Sequence, residues 1–211
     1  MIYDILNHVG FNTLVYNNLD AKLHFVLSLI LELHGSKQII YIDSDTFFTA
    51  YFKAGLFSSF KNMNYDNLKL FLPDGGNIKS TIINALGLIP NSSLVIFDSI
   101  ASFSDLLYGE INLENKLQNK NVNHLLSIFL MLLLKNTRYA KIPLLITAMI
   151  KHKRGEDWSE VLDKKRLLGL KSAVKLFANA KDGKNLSISI GSHPSMKSQT
   201  ITIPITKLSI I

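Results

Sequence analysis

The chain has 211 residues, 47% of them hydrophobic, with 23 Lys and Arg against 16 Asp and Glu, a net charge of +7 and no cysteine. That length supports one buried core, the apolar content excludes wholesale disorder, and the lack of cysteine excludes disulfides and thiolate metal sites. The basic excess favours a polyanionic partner over a neutral one; an anionic membrane surface or an acidic protein would also satisfy it.

Met1-Ile2-Tyr3-Asp4 has neither a basic start nor a long apolar run, so no signal peptide is read and a cytoplasmic setting is expected. Thr13-Leu14-Val15-Tyr16 reads as a short apolar strand, followed by Asn17-Asn18-Leu19-Asp20-Ala21-Lys22-Leu23 and an apolar helix to about Leu33. Strand, tight loop, lysine and helix is the layout of a phosphate-binding loop. This loop has no glycine, and Leu23 stands where a hydroxyl would hold Mg²⁺. Asn17 and Asn18 tolerate left-handed geometry, so a tight turn is expected there without the cradle.

Gly35 is placed to end that helix, and Ile39-Ile40-Tyr41-Ile42 is the next strand. Phe47 to Phe57 has helical spacing, Leu68 to Leu72 alternates, and Pro73-Asp74-Gly75-Gly76 is a turn cluster. Ile78 to Leu86 is helical again, and Ser93 to Phe97 is a continuous apolar strand ending on Asp98, as expected where both faces are covered. Ser99 to Asn123 reads as a long polar, irregular connection. Val122 to Thr137 is a helix; its apolar run Leu125 to Leu134 is about half of what spans a bilayer, so it reads as buried and no membrane partner is expected. Pro143 to Thr147 is a further buried strand.

Ala173 to Ala180, Leu186 to Ile190 and Gln199 to Ile205 alternate, with Asp182-Gly183 as a hairpin turn between the first two. The expected fold is α/β: a mostly parallel central sheet flanked by helices, ending in an antiparallel meander. One domain spans 1–211, with a strand-helix core to about 150, a basic loop region over about 151–171 and antiparallel strands over about 172–211.

Ser93-Leu94-Val95-Ile96-Phe97-Asp98-Ser99-Ile100, Tyr41 to Phe47, Pro143 to Thr147, and Ser192-His193-Pro194-Ser195 with Ile201-Thr202-Ile203 occur in an order that resembles the core of the RecA/RadA recombinase family over nearly the whole chain. The opening Tyr3-Asp4-Ile5-Leu6 through Gly10 resembles that family's lead-in to its first core strand. The resemblance implies a RecA-like fold, with Asp98 at the Walker B position and Asp45 in place of the catalytic glutamate. The family's N-terminal helical domain and oligomerisation linker have no counterpart, so the chain resembles a core-only RadA paralogue without self-assembled filaments. The Ile/Lys/Asn-rich composition and the RadA-like ending fit an archaeal source.

A working loop needs glycines so that backbone amides converge on phosphate, a lysine for the β/γ-phosphates and a hydroxyl for Mg²⁺. Only Lys22 remains, and Asp20 puts a carboxylate near the phosphate position. By themselves the residues allow a weak remnant site, or a structural turn with Lys22 solvated or paired with an acid such as Asp98; the turn is the better reading. Asp45 is shorter than glutamate, and Ala148-Met149 stands where the family commonly has a polar γ-phosphate sensor. Lys22, Asp45 and Asp98 are therefore read as remnants, the two carboxylates held by hydrogen bonds from backbone amides. No cofactor, no metal and no catalytic residue is expected.

Lys151-His152-Lys153-Arg154, then Lys164-Lys165-Arg166 and Lys171, form a basic cluster with Trp158 inside it. The resemblance places the family's mobile DNA-contacting loop here. Lysines and arginines would neutralise phosphates, and Trp158 would stack on a base. A solvated charge run, with Trp158 capping the core, is the alternative, since Glu156, Asp157, Glu160 and Asp163 dilute the field. Ser102 to Asn121 falls where the family's first DNA-binding loop would be, but its charges balance. His24 and His34 read as helix rim residues, and none of the other histidines has metal-ligand spacing.

The expected function is a non-catalytic accessory factor in DNA recombination or repair, binding single-stranded DNA, a RadA-type recombinase or another paralogue. The alternatives are a protein-interaction pseudo-ATPase subunit without DNA affinity, and a residual ATP-binding regulator using Lys22, Asp45 and Asp98.

Overall fold

A computed structural model describes residues 2–33, 35, 37–57, 65–114, 119–149, 173–180 and 184–205. The first strand, β1 (Phe11–Tyr16), is buried at all six positions. It lies between two parallel neighbours, β5 (Leu144–Met149) and β6 (Val174–Asn179). With β2 (Gln38–Asp43), β3 (Leu68–Phe71), β4 (Ser92–Asp98), β7 (Asn185–Ser192) and β8 (Thr200–Pro204), they make one eight-stranded sheet ordered β3-β2-β4-β5-β1-β6-β7-β8. The pairing from β3 through β6 is parallel, and β6-β7-β8 is an antiparallel meander. The expected α/β architecture is the observed one.

Side chains alternate across a strand, so each buried strand feeds two cores. Ile39 and Tyr41, Leu94 and Ile96, and Leu145 face one core with Leu14 and Tyr16. Ile40 and Ile42, Val95 and Phe97, and Leu144 and Ile146 face the other. The first core is covered by α1 (Leu19–Glu32) and α2 (Phe47–Lys53), the second by α3 (Ile78–Leu88), α4 (Ile100–Glu114) and α5 (Asn119–Ala140).

Helix α1 is apolar nearly all round, and buries residues from Ala21 through Leu27 together with Leu29 and Ile30. Such a helix belongs inside a fold rather than on its surface. Its carboxyl end is tied to the chain start, where Glu32 accepts from the Ile2 amide at 2.8 Å. On the opposite face Phe97, Phe103 and Phe129 pack ring to ring at 4.8–5.2 Å, joining β4, α4 and α5.

Three expectations are corrected. The segment read as an irregular connection after Asp98 is helical over Ile100–Glu114 and again from Asn119. Its polar residues alternate with Ile100, Phe103 and Leu107, which reach the core at helical spacing. The turn at Asn17-Asn18 is not left-handed: Thr46 and Lys141 are the non-glycine residues with positive φ among the described residues, and Asn18 is extended at φ −145°. His24 is buried, not on a rim, because α1 has no exposed face at that position. The meander extends the sheet as expected, joining it through the parallel pairing of β6 with β1. Gly35 does take the left-handed conformation expected at a helix end, with φ +78°. The Asp182-Gly183 turn and His34 lie outside the described residues.

Candidate functional site

Four strands end at the same sheet edge, and their parity decides what collects there. On β4, Leu94 and Ile96 face α1, so Asp98 does too. On β2 the same face carries Ile39, Tyr41 and then Asp43, which is in register with Asp98. Thr147 continues the face of Leu145 on β5, and Tyr16 that of Leu14 on β1. Lys22, in the first turns of α1, points into this group.

The lysine is fully buried, and its Nζ lies 2.7 Å from Asp45 Oδ2 and 2.8 Å from Asp98 Oδ2. Tyr16 and Phe47 flank it, each ring centroid 5.7 Å from Nζ. Asp98 is saturated: Tyr41 donates to Oδ2 at 2.5 Å and Thr147 to Oδ1 at 2.5 Å. Hydroxyls and an ammonium hold this carboxylate, not the backbone amides that the sequence suggested. Asp45 accepts from the Phe47 amide at 3.2 Å, and Asp43 Oδ2 from the Thr49 amide at 2.7 Å. The other Asp43 oxygen is buried with no hydrogen-bond partner.

Burial alone pulls the Lys22 ammonium toward neutrality, but the Asp98 and Asp45 carboxylates outweigh it and hold the pKa above the ordinary lysine value. Burial raises Asp98, against the pull of Lys22. It also raises Tyr41 far above an ordinary phenol, with Asp98 and Asp43 adding to the shift, so Tyr41 stays a donor. Asp43 is pushed up to about 7 by burial; hydrogen bonding from Thr49 opposes the shift, and the neighbouring carboxylates reinforce it.

Carboxylate oxygens of Asp43, Asp45 and Asp98 lie within 4.8 Å of one another. An ammonium, bridging two of the three, already supplies the positive charge such a group demands.

The link from β1 to α1 is only Asn17 and Asn18. Asn18 caps the helix, its Oδ1 accepting from the Ala21 amide at 2.8 Å. Asn17 is drawn sideways, donating to Asn179 Oδ1 on β6 at 2.9 Å. One amide that a phosphate oxygen would use is thus spent on the protein itself, and Leu23, fully buried, offers no hydroxyl. Beside the turn lies a cleft of about 390 Å³ bordered by Tyr16, Leu19, Phe47, Ser99 and Met149. Its charged lining is acidic, from Asp45 and Asp105, with no basic side chain among the described residues. These residues do not fit a Mg²⁺-nucleotide.

The structure therefore brings Lys22, Asp45 and Asp98 together, as a closed ionic cluster. Tyr41, Asp43, Thr147 and Tyr16 were missed in the sequence; counting back by twos from each strand end finds all four. The basic cluster of Lys151, His152, Lys153, Arg154, Trp158, Lys164, Lys165, Arg166 and Lys171 lies outside the described residues. Met149, the last residue of β5, ends at the same edge as the ionic cluster and is 43% exposed. His193 is a local brace: Nδ1 accepts from the Ser195 and Met196 amides, leaving Nε2 to donate to the Ile5 carbonyl.

No protein-family model matches the chain, and no curated protein matches it. Among solved structures, a RadB recombinase is similar with a TM-score of 0.64 at 17% identity, over 96% of this chain and 90% of that one. The shared fold is RecA-like. No helix among the described residues is long and apolar enough to cross a membrane.

Proposed function

We propose that this RecA-fold chain is a recombinase paralogue that acts without hydrolysing ATP, as an accessory factor in DNA recombination or repair. It engages single-stranded DNA, a RadA-type recombinase or another paralogue, and its degenerate Walker A turn is structural. The observation that carries this reading is the double ion pair of Lys22. To reach a phosphate, that lysine would leave two carboxylates within 2.8 Å at a fully buried position. Stripping one partner from a buried pair costs about 3–5 kcal/mol. A triphosphate arriving at a turn that presents Asp20 and a self-capped amide has little with which to offset it.

The DNA half rests on composition and on the likeness to a RadB recombinase. Lys151, Lys153, Arg154 and the cations that follow neutralise phosphates without reading sequence, so affinity falls steeply with salt. A protein-interaction subunit without DNA affinity is the second reading, favoured by the exposed apolar residues of α5.

Calorimetry with Mg-ATP is expected to give no saturable heat; binding that disappears in Lys22→Ala overturns the nucleotide half. Lys22→Met is expected to lower unfolding stability by about 3 kcal/mol in denaturant titration, as a structural ion pair requires. Fluorescence anisotropy with a labelled single-stranded oligonucleotide should show binding that weakens with salt and with charge reversal at Lys151, Lys153 and Arg154. Absence of binding at low ionic strength removes the DNA half and leaves the interaction subunit.

A further inference from the structure

Helix α5 buries one side and leaves a stripe uncovered on the other. Val122, Leu126, Phe129, Leu130 and Leu133 go inward. Leu125, Ile128, Met131 and Leu132 face outward at 42–48% exposure. Single exposed leucines need no explanation, but four within two turns make a contiguous apolar patch. Ile128, Met131 and Leu132 border a groove of about 560 Å³ floored by Leu134. Its charged border is cationic, from Lys135 and Arg138 at one end, with the imidazole of His124 at the other. From His124 to Arg138 the stripe runs about 21 Å along the helix.

We propose that this groove receives an amphipathic helix of a partner protein, with apolar residues at i, i+3 or i+4 and i+7 flanked by aspartate and glutamate. The proposal rests on the interaction half of the function proposed above and names the partner's chemistry. Charge decides among the occupants. No acidic side chain lines the groove among the described residues, and the sequence of α5 contains none at all. Arg138 donates through Nε to the Val9 carbonyl, so its charge is held beside the groove before any partner arrives. A second copy docking α5 on α5 would set lysine and arginine against themselves. Nucleic acid has phosphates for the border but presents no apolar ridge to fill the groove. An acidic amphipathic helix supplies both, laying its ridge between the side-chain rows of α5 while its carboxylates meet Lys135 and Arg138.

The probe is a fluorescein-labelled helical peptide of about 18 residues, long enough for the stripe, with leucines at those spacings and glutamates flanking them, alongside a twin with lysine for every glutamate. Anisotropy with the full chain is expected to show the acidic peptide binding at least about tenfold tighter than its twin. The Ile128→Gln/Met131→Gln double variant and Lys135→Glu should each weaken it by about tenfold. All three positions are exposed, and unchanged thermal unfolding of the variants shows that the fold is intact. Equal binding of the twins, no binding, or indifference to the variants overturns the proposal. So does dimerisation in sedimentation equilibrium that the double variant abolishes, which assigns the face to a second copy. Variant-sensitive co-sedimentation with phosphatidylserine vesicles assigns it to a membrane surface and equally overturns it. The double variant keeps the Mg-ATP and oligonucleotide responses of the wild type, so failure here is separable from failure of the wider reading.

Discussion

Burial pushes the Asp43 carboxyl up to about 7, while an unfolded chain releases the same proton near 4. The folded state thus holds a proton that the unfolded state has lost between those limits. A group shifted this way favours folding at low pH, and stability falls as pH rises through the window, by up to about 1.4 kcal/mol per pH unit. Asp98, also raised, acts in the same direction. Asp43→Asn is expected to flatten the decline: its amide oxygen can still accept from Thr49, and its amide nitrogen replaces the oxygen that has no partner. Urea titrations of both proteins between pH 4 and 7 check this; parallel slopes refute the assignment. At this scale the sequence was only partly informative. Lys22, Asp45 and Asp98 could be singled out, but the pairing of one ammonium with Asp98 at the end of β4 and Asp45 in the turn after β2 depends on how β2 and β4 lie in register.

At the scale of elements, the strand-turn-helix unit of β1 and α1 was legible because an apolar run and an apolar helix each have a local cause, whereas the cap that Asn18 gives the helix appeared only in the structure. The segment after Asp98 was not. Its serines and acids read as a connection, yet Phe103 and Leu107 anchor a helix once Phe97 and Phe129 are beside them. Tertiary packing overrode a weak local signal. Gly10 shows the same dependence on distant sequence. A Cβ there would sit 2.5 Å from the Cβ of Ala173, where the chain enters β6. That neighbour is rooted in backbone and cannot swing aside. Gly10→Ala is expected to cost about 1–3 kcal/mol in chemical denaturation, and Ala173→Gly in the same chain to recover most of it. Additive losses in the double variant would mean that the contact is not the cause.

For the molecule as a whole, two cores on opposite faces of one sheet make its centre the most secure part. β1 is paired on both sides and buried at every position, whereas β8 alternates between exposed and half-buried residues and, among the described residues, pairs only with β7. Native-state hydrogen exchange should therefore protect β1, β4 and β5 to near the global unfolding free energy and release β8 first. Equal protection of β8 and β1 would contradict that ranking. From the sequence alone came the fold class, the two-sided burial of the parallel strands and the lack of glycine in the turn before α1, since each is written in local composition and period. The closing of Lys22 into an ionic cluster, the helices after Asp98 and the uncovered cationic groove of α5 were decided by the tertiary structure. Charge pairing and exposure depend on which residues from separated segments meet, and no single segment encodes that meeting.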